Sequence, residues 1–78
     1  MTVLQIAARV DARGLSCPMP IVRAAAAVRA MPVGALVEVL ATDPGAPRDF
    51  VAWSRSTGNE LVEQTTDGDV HRFVIRRK

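Results

Sequence analysis

The chain has 78 residues, about half of a ~150-residue domain, and reads as a single domain over residues 1–78. At 49% apolar and 23% charged it is too apolar for a disordered chain, and no apolar run approaches the ~18 residues of a membrane span. Ten cations against eight anions leave a net charge of +2, a weak basicity without the strongly cationic face of a polyanion binder.

Leu4, Ile6, Ala8, Val10 and Ala12 alternate with Val3, Gln5, Ala7, Arg9 and Asp11, the period of two of a half-buried strand. Gly14 ends it. From Cys17 the period changes: Ile21, Ala24, Ala25, Val28 and Met31 fall on one helical stripe, with Arg23 and Arg29 off it. Pro32 and Gly34 stop this helix. Ala35–Thr42 is rich in Val and Leu with only Glu38 charged, which predicts a central strand buried on much of both faces. A turn over Asp43–Pro47 leads to a second helix from about Pro47 to Thr57. Its expected inner stripe is Phe50, Trp53, Ser54 and Thr57, and Gly58 is placed as the left-handed residue that follows the helix. Leu61–Thr66 is a third strand, Asp67-Gly68 signals a hairpin, and Val70–Arg76 returns as the fourth strand.

The order is β-α-β-α-β-β. Two helical crossovers predict parallel neighbours, and the hairpin predicts one antiparallel pair. With only 26 apolar residues larger than alanine, both helices are expected on one face of a mixed four-stranded sheet, an α+β two-layer sandwich.

The chain has one cysteine, Cys17, and one histidine, His71. One cysteine forms no intramolecular disulfide, which points to a reducing, cytoplasmic compartment. Met1–Val10 lacks the charged start and long apolar stretch of a signal peptide. The pair also cannot supply the usual sulfur and nitrogen ligands of a structural zinc site, so no metal or other cofactor is expected.

The chemistry concentrates in Asp11-Ala12-Arg13-Gly14-Leu15-Ser16-Cys17-Pro18-Met19-Pro20. With Cys17 as N-cap, Pro18 stands at N1 and Pro20 at N3, where a missing N–H costs the helix nothing. A thiol there sits at the positive end of the helix dipole, which predicts a moderately lowered thiol pKa. Arg13 adds positive charge if the Gly14 turn folds back. A free cysteine is ordinarily a small buried core residue. A core cysteine, however, needs no stiff turn built beneath it, so Cys17 reads as exposed and reactive, with Gly14, Pro18 and Pro20 positioning it. A lone strand histidine is usually surface or core, and His71 is not expected to serve Cys17 as a base.

Gly14-Leu15-x-Cys17-Pro18-x-Pro20 resembles the Cys-Pro-x-Pro signature of the TusA/SirA family of small sulfur carriers. Asp11, Gly34, Asp43-Pro44, Asp49, Trp53, Gly58 and the basic end Arg76–Lys78 also fall where that family has them. The chain differs at Gly58-Asn59, where many members have Gly-His, and at Ser54, where many have Cys. The resemblance implies the same two-layer fold. It also implies a sulfurtransferase-type carrier whose Cys17 takes sulfane sulfur as a persulfide from a donor protein, a cysteine desulfurase or a rhodanese, and relays it to an acceptor protein. Family uses include tRNA thiolation, molybdenum-cofactor maturation and sulfur oxidation. Such exchange needs a thiolate and access, with neither triad nor metal, and a second cysteine would release the cargo.

The remaining expectations concern partners. Arg13, Arg23 and the Arg76–Lys78 end, with Arg77 at its centre, are expected to dock acidic partners. A monomer is expected, because the cysteine must meet donor and acceptor in turn. No membrane contact and no stable nucleic-acid binding are expected. The rival functions are a regulatory or interaction module of the same fold, which needs no exposed cysteine on a proline-braced turn, and an RNA-binding domain. An RNA binder should show a basic face with stacking aromatics, and the three aromatics here are expected in the core.

Overall fold

The computed structural model describes residues 5–78. The start of the expected first strand, Val3 and Leu4, lies outside the described residues. The elements are β1 (Ile6–Ala12), α1 (Met19–Arg29), β2 (Leu36–Ala41), α2 (Ala46–Thr57), β3 (Glu60–Asp67) and β4 (Val70–Arg76), as the periodicities predict. They form one four-stranded sheet in the order β1-β2-β4-β3. β1 pairs parallel with β2, and β4 pairs antiparallel with both β2 and β3.

One expectation of the topology is corrected. The first crossover gives parallel neighbours, but the second does not: β3 runs parallel to β2 with β4 between them. The reason lies in composition. Phe73, Val74 and Ile75 of β4 are all fully buried, on both faces of the sheet, which only an interior strand allows. β3 carries Glu60, Glu63, Gln64, Thr65, Thr66 and Asp67, and a strand so polar is stable at an edge.

Both helices cover one face. Ala24 and Val28 of α1 and Ala46 and Phe50 of α2 meet the inward residues Ala12, Val37, Val39, Ala41, Phe73 and Ile75 in a single cluster. Ile21 and Met31 pack at its margin, as their place on the stripe predicts. Phe50 stacks on Phe73 with ring centroids 4.2 Å apart, and Trp53 meets Phe50 edge-on at 6.2 Å. Thr57 leaves the expected stripe. It is exposed, and its hydroxyl donates back to the Trp53 carbonyl. Gly58 ends α2 at φ +82, its N–H bonded to the Ser54 carbonyl, and a β-carbon there would stand 2.8 Å from the Lys78 side chain.

The other face of the sheet is open and laced by charge. Glu38 on β2 is ion-paired with Arg9 on β1 and accepts from Arg72 on β4, and Arg72 reaches on to Glu63 on β3. One alternating chain of charges thus spans all four strands. Val74 is fully buried on this face, as happens where long arginine stems lie over apolar surface.

The Phe50–Phe73 stack joins helix layer to sheet at the centre of a thin core. Phe50→Ala is expected to destabilise by about 3–5 kcal/mol. Urea denaturation checks this as a large fall in midpoint. A midpoint close to the parent's would show that the stack is dispensable.

Candidate functional site

The parallel pairing of β1 with β2 sets the C-terminal ends of both strands side by side, with Ala12 beside Ala41. The two loops that leave them, 13–18 and 42–45, therefore emerge together. They are tied by one bond: the Gly14 N–H donates to the Thr42 hydroxyl at 2.9 Å. Gly14 makes this turn at φ +79, a conformation that other residues rarely adopt.

Cys17 lies on this platform and is exposed. Its place in the helix start differs from expectation by one residue. The N-cap is Pro18, Met19 is N1, and Pro20 is N2 and buried. The Ser16 carbonyl accepts the Met19 N–H at 2.9 Å, closing a turn with Cys17 and Pro18 at its centre, so the helix can begin only beyond them. The Pro18 carbonyl then takes the first helical bond, from Val22 at 3.0 Å. The Cys17–Pro18 peptide is cis.

The electrostatics reverse the expected sign. The Cys17 thiol is pushed up, first by the Asp49 carboxylate as a hydrogen-bond acceptor for the protonated sulfur, then by desolvation, then by the negative charges of Asp49 and Asp43. The features expected to lower it are absent from the sulfur. Met19 has given its N–H to Ser16, and dipole stabilisation fades beyond the first turn. Arg13 has closed on Asp11, with Nε 2.8 Å from Oδ1 and Nη2 3.0 Å from Oδ2. That pairing holds the Asp11 carboxyl at about 2, chiefly through the hydrogen bonds from the Arg13 side chain and backbone.

Asp43 and Asp49 are the site residues that sequence reasoning missed. In the sequence Asp43 reads as a turn residue and Asp49 has only a family position. Asp43 does make the turn, accepting from the Gly45 N–H at 3.1 Å. Gly45 lies between the two carboxylates, and a β-carbon there would meet Asp43 at 3.1 Å and Asp49 at 3.7 Å. Both carboxylates are half-buried, and neither has an ion pair among the described residues. No sequence spacing relates position 17 to position 49; only the adjacent crossovers do.

The expected arginines do not form one surface. Arg77 sits at the far end of α1, donating from its guanidinium to the carbonyls of Arg29 and Met31. An 11-residue helix separates it from Cys17, roughly 16 Å at 1.5 Å per residue. Arg23 stays exposed on α1. His71 is occupied by Thr66, 2.9 Å from its Nδ1. Ser54 and Asn59, the two positions that depart from the family pattern, join the end of α2 to the chain terminus: the Ser54 hydroxyl donates to the Asn59 carbonyl, and Asn59 Oδ1 accepts the Lys78 N–H. Beside the cysteine, Met19 and Val22 leave apolar surface exposed on the first turn of α1. Among the described residues no cluster of three or more His, Cys, Asp or Glu is placed to hold a metal ion, and no helix is long and apolar enough to cross a membrane.

Two outcomes follow from these charges. Asp49→Asn removes the acceptor and one negative charge, so the thiol pKa should fall and alkylation of Cys17 at neutral pH should quicken several-fold. A pH-resolved alkylation rate measures this, and a profile unchanged from the parent would remove Asp49 from the site. Asp11 should titrate at about 2 by carboxyl NMR, and Arg13→Gln should raise it towards, but not fully to, the ordinary carboxylate value of ~3.9, because the backbone N–H of residue 13 still donates. Because its folded pKa is depressed, the stabilisation from this pair is present above the unfolded value and is lost as pH falls towards 2.

The family model described as Sulfurtransferase TusA matches residues 8–77. YrkI of Bacillus subtilis is 51% identical over 67 residues, covering 86% of this chain and 89% of that protein. The sulfur carrier protein TusA of Allochromatium vinosum is 46% identical over 67 residues, covering 86% and 88%. The crystal structure of the SirA-like protein from Desulfitobacterium hafniense superposes with a TM-score of 0.78 at 25% identity, covering 88% of this chain and 95% of that one. With its family model matched over nearly the whole length and its fold shared with a SirA-like protein, the chain belongs to the TusA family of sulfurtransferases.

Proposed function

We propose that this protein is a sulfur carrier that holds sulfane sulfur on Cys17 as a persulfide and passes it from a donor protein to an acceptor protein. The observation that carries the reading is the exposed Cys17, the chain's only thiol, on a turn braced by Pro18 and Pro20 in a member of this family. A cytoplasmic setting, where a lone thiol stays reduced, suits such chemistry.

In the loading step the Cys17 thiol gives up its proton to solvent. The thiolate attacks the terminal sulfur of the donor's persulfide, a new S–S bond forms on Cys17, and the donor's S–S bond breaks with its electron pair leaving on the donor thiolate. Delivery repeats the exchange with the acceptor as nucleophile. Neither step needs an external oxidant or reductant. Asp49 and Asp43 disfavour the thiolate in the resting protein, so the empty carrier is quiet towards stray electrophiles. A donor that brings positive charge against these carboxylates removes the restraint at the moment of contact. The exposed Met19 and Val22 give such a partner apolar surface beside the sulfur. Gly14, Pro18 and Pro20 hold the turn. Arg23 lies on the same helix as this surface and is free to steer an acidic partner.

Incubation with a cysteine desulfurase and cysteine, or with a persulfidated rhodanese, tests the reading by intact mass. The expected result is a gain of one sulfur atom on the parent, reversed by reductant, and no gain on Cys17→Ser. A gain of the same size on Cys17→Ser, or none on the parent with an active donor, would sink it.

A further inference from the structure

Helix α2 carries two arginines, one in its first turn and one in its last. Arg48 and Arg55 are exposed, and neither enters an ion pair among the described residues. Arg9, Arg13, Arg72 and Arg76 are all ion-paired, and Arg77 is bound to carbonyls. Arg48 also lies in the first turn of its helix, where the helix dipole disfavours a cation. Nothing in folding rewards it there.

The two arginines stand at the ends of an open groove of about 410 Å³ between α2 and β3, lined by Pro47, Arg48, Val51, Ala52, Arg55 and Gln64. Its floor is apolar. The arginines are seven residues apart on the helix, about 10 Å along its axis. Gln64 of β3 closes its other side; β3 is the edge of the sheet, and its outward backbone groups have no strand partner among the described residues. An extended chain can add to such an edge through its own backbone, with alternate side chains turned to one face. Of the carboxylates of β3, Glu60 and Glu63 are paired with Arg76 and Arg72 and oppose an anionic visitor less, and Asp67 lies at the hairpin end of the strand.

We propose that the groove between α2 and β3 docks an extended acidic segment of a partner protein, with two carboxylates four residues apart on Arg48 and Arg55 and an apolar side chain midway on Val51 and Ala52. In an extended chain, residues two apart share a face and residues four apart span about 13 Å. The flexible arginine side chains close the difference from the helix spacing. Charge at the rim chooses the partner and speeds its arrival, and the apolar floor adds hold. This docking site does not rest on the persulfide reading, since it contains no thiol and its test involves no sulfur.

Titration of ¹⁵N-labelled protein with two peptides tests it, one centred on Glu-Thr-Leu-Thr-Glu and one on Lys-Thr-Leu-Thr-Lys. The acidic peptide is expected to shift amides of α2 and β3, less so as salt rises, and the basic peptide to leave them in place. R48E/R55E should bind the acidic peptide about tenfold more weakly, since two screened charge contacts are lost. Both side chains are exposed, so the spectrum should otherwise match the parent's; if the double variant does not fold, R55E alone serves. Absence of shifts at α2 and β3 with millimolar acidic peptide overturns the proposal. So do equal shifts from both peptides, or parental binding by a folded arginine variant.

Discussion

The parallel pairing of β1 with β2 is the constraint on which the site depends. A parallel pair must return its chain through a crossover, so both strands point the same way and both exits open at one end. That puts the cysteine loop against the start of α2, although more than twenty residues separate them in sequence. The bond from Gly14 to Thr42 sets the spacing of the two loops, and the core residues Ala24, Val28, Ala46 and Phe50 fix the helices above them. The sulfur's surroundings are thus a product of strand direction first and of local residue choice second.

The same arrangement explains why the turn and the carboxylates act differently. Pro18, Pro20 and the Ser16–Met19 bond are local, and they decide where the sulfur stands. Asp43 and Asp49 come from the neighbouring crossover, and they decide how readily it ionises. Position and reactivity are supplied by different segments.

Most elements were legible because their apolar periods are clean. The strand alternation from Ile6 to Ala12, the alanine-rich stripe of α1 and the left-handed Gly58 all have local causes, and local causes show in a sequence. Cys17 was legible because two prolines beside a lone thiol have no use in a core. What failed was non-local. Crossover logic alone placed the third strand next to a parallel neighbour, and only the two-sided burial of Phe73, Val74 and Ile75 moves β4 inward. The thiol was read from its own helix, where dipole and prolines argue for a lower pKa, while the deciding charges sit on another helix. Arg77 reads as a partner-docking residue because nothing in its neighbours reveals that it closes the end of α1.

The ladder on the open sheet face has a bearing on how the molecule meets others. Arg9, Glu38, Arg72 and Glu63 alternate in sign at contact distance, so their fields largely cancel a short way into solvent. Arg23, Arg29, Arg48 and Arg55 project from the helices with no ion pair among the described residues, and neither Asp43 nor Asp49 at the cysteine end has one there. The sheet's back is therefore electrically mute and the helical side is not. An acidic protein approaching by diffusion is turned towards the helix arginines, and a basic one towards the carboxylates beside the sulfur, so the molecule is half-oriented before any surfaces touch.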